Sequence, residues 1–356
     1  MKEVHGRSRD TIAKLLAVEL RDRNDIPEDK IADIMHECLE LGGKTLLGEL
    51  KKNKKKMLRD HAKCRRAFQQ RLRKIWRKPL GLYETCLVIA QEMGGQFNSD
   101  HRPGSASAND LVFEVMTRLH GRVCHLASEV LHLMSGGYAS GAMTRWRAMH
   151  EAVVVMAFIQ KHGQDSAERY LLHEHIEGAK AAKEYIKHCG PNGEVTPAML
   201  AENEKIRDEL IVRYGKPYGK DYGWAAANLP EGVRPSIPAM EQQVDLEKVR
   251  PYYRLASHAT HANPKSVLFN LEQGPKPEMI LVGAANTGLA DPGAQSLRHL
   301  MFATAILVGM HSDEETVMGS LALGDLVEEG VQAFMEVHHK VEAITKKQLK
   351  RRRRQV

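Results

Sequence analysis

"AMTRWRAMHEAVVVMAFIQKHG", residues 142–163, carries the reading of the fold. From Ala152 to Ile159 the run is apolar on every side of a helical wheel, so a helix here must be surrounded by other elements. Just before that run, Arg147, His150 and Glu151 stand at i, i+3 and i+4, which puts them on one face. Charges that enter a core need partners, so an Arg147–Glu151 ion pair is the least this segment requires. Two roles fit the pair: it fixes how two helices register, or it forms one wall of a polar pocket.

Outward from this segment, periodicity predicts helices almost everywhere. Residues 8–24 and 28–50 are amphipathic, and "IPEDK" between them places Pro27 at a helix start. The basic stretch 49–78 continues as helix to "RKPLG", and 81–94 forms another. "GGQFNSDHRPGSASAND", residues 94–110, reads as a loop, with Asn109 or Asp110 capping the helix that follows. "SGGYASG" ends that helix before the opening segment. Further helices are expected over 166–189, from Pro197 to Tyr214, and over 245–262, 293–310 and 313–350. Residues 215–243 are aperiodic and rich in Gly and Pro. Two β-prone runs around a Gly-Pro turn predict a small hairpin at 266–284. The class is mainly α: a helical bundle at 81–345, a basic helical N-terminal region at 1–80 and a basic tail at 346–356.

Composition bounds the setting. Apolar residues at 42% and charged ones at 27% of 356 residues describe a globular chain without a disorder signature. The opening "MKEVHGRSRDT" is too polar for a signal peptide, and the apolar runs at 152–159 and 303–310 are too short to span a membrane. A soluble, cytoplasmic protein with no membrane partner is expected. Cys38, Cys64, Cys86, Cys124 and Cys189 are odd in number and lack a CxxC pair, so they read as reduced thiols.

The charge is unevenly placed. Residues 44–79 hold 15 Lys/Arg against Glu49 and Asp60, and the last eleven residues hold seven basic groups and no acid. Against a total of +7, the body between and around them is therefore about −13. A polyanion such as RNA would meet Lys54, Lys55, Lys56, Arg65 and Arg66, or Arg351, Arg352 and Arg353 in the tail. The plainer reading of both runs is a solvated helix face and a soluble extension.

A second polar segment is "YYRLASHATHAN", residues 252–263. Tyr253, Arg254, Ser257, His258 and His261 span about two turns on one side of a helix, with Leu255, Ala256, Ala259 and Ala262 left to pack. Five polar groups on one face predict a site or a buried network facing the Arg147–Glu151 helix.

These elements, in the order "RAMHE", "RYLLHEHIEGAK", "YGWAAANL" and "VRPYYRLASHATHAN", resemble a bacterial domain family of unknown function over about residues 85–310. Arg147 and Glu151 match its Arg-x-x-x-Glu pair; Tyr253, Ser257 and His261 match its Tyr-x-x-x-Ser-x-x-x-His run. The helical pattern is similar to that of HEPN proteins, many of them metal-independent ribonucleases, and some relatives look like phage-defence or stress modules. What this resemblance implies is a homodimeric endoribonuclease without a cofactor, using an Arg-x(4–6)-His pair. Arg254 and His261 would be catalytic, with Arg147, His150, Glu151, Tyr253, Ser257 and His258 as supporting pocket residues. The alternative is a non-catalytic helical protein that docks nucleic acid or a partner through its basic segments. Four Arg/His pairs satisfy that spacing, Arg118/His125, Arg145/His150, Arg169/His175 and Arg254/His261, so only the crowded face around Arg254 singles it out. Glu129-x-x-His132 and Glu336-x-x-His339 could start a di-metal site, yet the remaining ligands are missing and no metal is expected. There is no P-loop, HExxH or GxSxG, and "VGAANTGLADPG" lacks the dinucleotide-fingerprint spacing.

Overall fold

The computed structural model describes residues 28–191, 193–260, 264, 272–273 and 280–353. The chain divides into two compact units, Met1–Arg71 and Leu72–Val356.

The described part of the first unit belongs to α1, Glu28–Ile75, whose last four residues lie in the second unit. Lys, Arg, Leu, Met and Glu dominate it, all strong helix formers. Its 48 residues give a rod of about 72 Å at 1.5 Å per residue. Every residue from Lys51 to His61 is exposed, so no side of the helix is covered there.

The second unit is a bundle of five long helices: α2 (Arg77–Ala108), α3 (Leu111–Gly136), α4 (Ala139–Leu172), α9 (Ala290–Val308) and α10 (Glu314–Arg353). α9 is the central rod, in contact with all four of the others. The opening segment behaves as its pattern demands, because every residue from Ala152 to Ile159 is buried. α4 is bent at Gly163, whose φ of 72° only glycine adopts readily. α5 (Glu174–Cys189) and α6 (Pro197–Tyr214) pack on each other as a hairpin beyond that bend. α7 (Ile237–Gln243) and α8 (Arg250–Thr260) then return to the outer side of α4. Capping follows the sequence closely. Asp110 accepts from Phe113 N at 2.9 Å, Thr196 from Met199 N ahead of Pro197, and Ser236 from Ala239 N.

Two expectations change. The loop predicted at 94–110 is helix as far as Ala108, and the turn shrinks to Asn109, in the left-handed region at φ 50°, and Asp110. Phe97 explains the difference: it is buried and stacks on Phe113 at 5.8 Å, while Arg102 reaches Glu114 at 3.0 Å. Burying one such ring contributes roughly 1.5–3 kcal/mol, enough to offset weak helix formers. The hairpin expected at 266–284 is not a sheet layer. The described residues carry only β1 (Glu272–Gln273) against β2 (Ile280–Leu281), an antiparallel ladder of two residue pairs, too short to stand alone. The other residues of 266–279 lie outside the described residues.

No described helix is long and apolar enough to cross a membrane. All five cysteines are unpaired thiols; Cys38, Cys86 and Cys124 are buried.

Candidate functional site

The site begins with Tyr253. Pro251 sits in the first turn of α8, where a missing N–H costs nothing, and the helix lays Tyr253 and Ala256 against α4. The phenol donates to Glu151 Oε1 at 2.6 Å, and its ring lies 5.5 Å from the His150 ring. The Arg147 guanidinium stands over the same ring at 4.8 Å and that of Arg250 at 4.9 Å. Arg147 Nε is 3.3 Å from Glu151 Oε1 but off the hydrogen-bond axis, so their attraction is mainly Coulombic. Burial, and then the Glu151 carboxylate, pushes the Tyr253 hydroxyl up to about 12, so it remains a donor at neutral pH.

Behind Tyr253 lies a closed polar chain. His150 Nε2 meets Glu241 Oε1 at 2.7 Å, and His150 Nδ1 meets His299 Nε2 at 2.9 Å. His299 Nδ1 is 2.7 Å from the Gln295 carbonyl and 3.2 Å from Trp146 Nε1. One nitrogen cannot donate to the first and accept from the second. Each contact therefore belongs to a different tautomer of His299. Arg250 closes on the second oxygen of Glu241. Burial, reinforced by His150, depresses His299 to about 3. His150 and Glu241 are wholly buried, so this chain is spent on holding α4, α7 and α9 together.

On its other side Glu151 opens onto a cleft of about 450 Å³ between α3 and α4, with Val115, Leu119 and Val155 among its apolar lining. Tyr170, Tyr222 and Trp224 line it and also line an adjoining cleft of about 620 Å³. Trp224 is held edge-on between Phe158 at 5.6 Å and Tyr170 at 5.0 Å. The turn before it is forced. Tyr222 has φ 56°, a region a bulky residue rarely enters, and a Cβ on Gly223 would strike the Tyr218 carbonyl. Burial and the nearby Glu151 raise the Tyr222 hydroxyl above its usual range.

The residues expected from sequence fall in different places. Arg147, His150, Glu151 and Tyr253 converge. Ser257 donates to the Tyr253 carbonyl at 2.9 Å, and His258 is half-buried. Arg254 is exposed and so is Leu255, expected on the packing side; Tyr253 takes that side because its ring fills the space over α4. His261 lies outside the described residues, as do the side chains of Arg351, Arg352 and Arg353. Lys54, Lys55, Lys56, Arg65 and Arg66 are all exposed. Glu241 and His299 join the site without any sequence pattern that singles them out, whereas Tyr222, Trp224 and Arg250 come from the elements "YGWAAANL" and "VRPYYRLASHATHAN", in which sequence alone assigns these three no role. Among the described residues no group of three or more His, Cys, Asp or Glu could hold a metal.

Fold and site together define a helical-bundle protein with a tyrosine–carboxylate pair at the wall of an aromatic cleft. Residues 113–276 match the sequence model of a family of unknown function, DUF5677, and the match spans α3 to β1, including Arg147, Glu151 and Tyr253. No curated protein and no solved structure matches the chain.

Proposed function

We propose that the protein is a non-catalytic binding protein that docks nucleic acid through α1. The observation that carries this reading is the exposure of α1 on all sides over its most basic stretch. Among the described residues, Lys54, Lys55, Lys56, Arg65 and Arg66 have no carboxylate partner; Lys44 and Lys52 do. Like charges three or four residues apart, as at Lys51/Lys55 and Lys52/Lys56, each cost a helix about 0.2–0.5 kcal/mol. Phosphates along the rod relieve that repulsion and release counterions. Supporting the absence of chemistry, the Tyr253 hydroxyl and the Ser257 hydroxyl are both spent on protein acceptors.

The test is fluorescence anisotropy with labelled RNA and duplex DNA over a salt series. Binding should weaken steeply with salt. A Lys54→Ala/Lys55→Ala/Lys56→Ala variant should flatten the log–log slope by about 0.9 for each phosphate left unneutralised. A variant that binds with an unchanged slope would remove α1 from the interface.

A second reading, the homodimeric metal-independent ribonuclease with a defence or stress role, is favoured by one observation. The Arg254 guanidinium is exposed on α8, with no carboxylate partner among the described residues. In this reading His261 moves the proton and Arg254 offsets phosphate charge. RNA cleavage in EDTA that is lost in folded Arg254→Ala and His261→Ala would establish it. Undiminished cleavage in both variants would exclude that pair.

A further inference from the structure

Three polar features of the Glu151 cleft are left over once the packing is accounted for. The first is a carboxylate oxygen. Tyr253 and Arg147 both approach Glu151 Oε1, and among the described residues no hydrogen bond engages Oε2. The second is Arg122 on α3, exposed, lining the cleft and without a carboxylate partner among the described residues. The third is the aromatic end, where Tyr222 is kept in a costly backbone conformation and a glycine is demanded next to it. Strain of this kind costs about 1–3 kcal/mol and persists where the surrounding structure enforces it.

Arg122 and Glu151 face the cleft from different helices. Tyr170, Tyr222 and Trp224 line the same cleft as the cation and the carboxylate. A ligand satisfying both needs an N–H donor for Glu151, an anionic group for Arg122 and a flat body between them. An aliphatic acid lacks the donor and the flat body. A free aromatic amino acid has all three, but it would leave the adjoining cleft, continuous through Tyr170, Tyr222 and Trp224, largely empty. At about 450 Å³ the cleft falls within the roughly 300–1,000 Å³ of small-molecule sites.

We infer that this cleft binds a nucleoside monophosphate unit, with its base among Tyr170, Tyr222 and Trp224, a base N–H on Glu151 and the phosphate on Arg122. Aromatic faces and a carboxylate acceptor are the means by which proteins hold an unstacked base. The unit comes either as a free mononucleotide or as one residue of a single strand. This inference does not rest on nucleic acid docking at α1.

Isothermal titration calorimetry with AMP, GMP, CMP, UMP, tryptophan and a four-nucleotide RNA tests it, using the full chain. One-to-one binding of a mononucleotide should weaken about tenfold or more in Arg122→Ala and in Glu151→Gln, the loss expected for a charged hydrogen bond. It should be unchanged in the Lys54→Ala/Lys55→Ala/Lys56→Ala variant. Arg122 is exposed, so its variant is expected to fold; circular dichroism checks this. Binding of the tetranucleotide alone, lost in Arg122→Ala, assigns the unit to a strand and keeps the site. Three results overturn the inference: no heat with any nucleotide, tighter binding of tryptophan, or binding lost in the lysine variant but kept in Arg122→Ala.

Discussion

Acid should unfold this protein by way of its buried histidines before its carboxylates titrate. Burial holds His299 at about 3 and His120 at about 4, against an unfolded histidine near 6.5. Below pH 6.5 the unfolded chain therefore binds protons that the folded chain refuses, and stability falls as the pH drops. Each such histidine costs about 1.4 kcal/mol per pH unit, so the two together remove about 5 kcal/mol between pH 6.5 and 4.5. That is comparable to the whole stability of many domains, about 5–15 kcal/mol. His162 and His173, also lowered chiefly by burial, act in the same direction. Asp221, held below the usual carboxylate range by Lys180, titrates below this window. Urea unfolding followed by circular dichroism from pH 7 to 4.5 measures the slope. His120→Gln keeps a hydrogen-bonding partner for Thr304, now 3.0 Å from the imidazole, but does not titrate. Its slope between pH 6 and 5 should be shallower by about 1.4 kcal/mol per pH unit. An identical slope in wild type and variant would refute the reasoning.

Three further outcomes can be checked by the same urea method. Gly94→Ala drives a methyl group into the His120 ring and should cost about 1–3 kcal/mol. Tyr253→Phe deletes the 2.6 Å bond to Glu151 and should cost about 1.5–3 kcal/mol, as expected for a hydrogen bond to a charge. Arg250→Ala takes the guanidinium away from the fully buried Glu241; a loss of about 3–5 kcal/mol is expected, and a loss under about 1 kcal/mol would show that water reaches Glu241.

What could be read in advance follows from the range of each interaction. The run from Ala152 to Ile159 declares its burial because a helix with no polar side has nowhere else to go. Asp110 is legible as a cap, and Pro197 marks the start of its helix, because such signals act within three residues. Residues 94–110 mislead because Gly, Ser and Pro record local preference, while the Phe97–Phe113 contact that settles the matter is tertiary. The same division runs through the site. Spacing puts Arg147, His150 and Glu151 on one face, and Tyr253 meets all three. Glu241 and His299 reach His150 from 91 and 149 residues away, and Trp224 lies in an aperiodic stretch, so no local period announces them.

The central position of α9 also sets a timetable for synthesis. α2, α3 and α4 all pack on it, yet the ribosome finishes α4 at Leu172 and α9 only at Val308. At about 5–20 residues per second, translation of the stretch between takes roughly 7 to 27 seconds. For that interval the nascent chain displays the bare faces of three helices, among them Trp146 and His150 with no His299 to meet them. Folding of the bundle is therefore mostly a late event in translation.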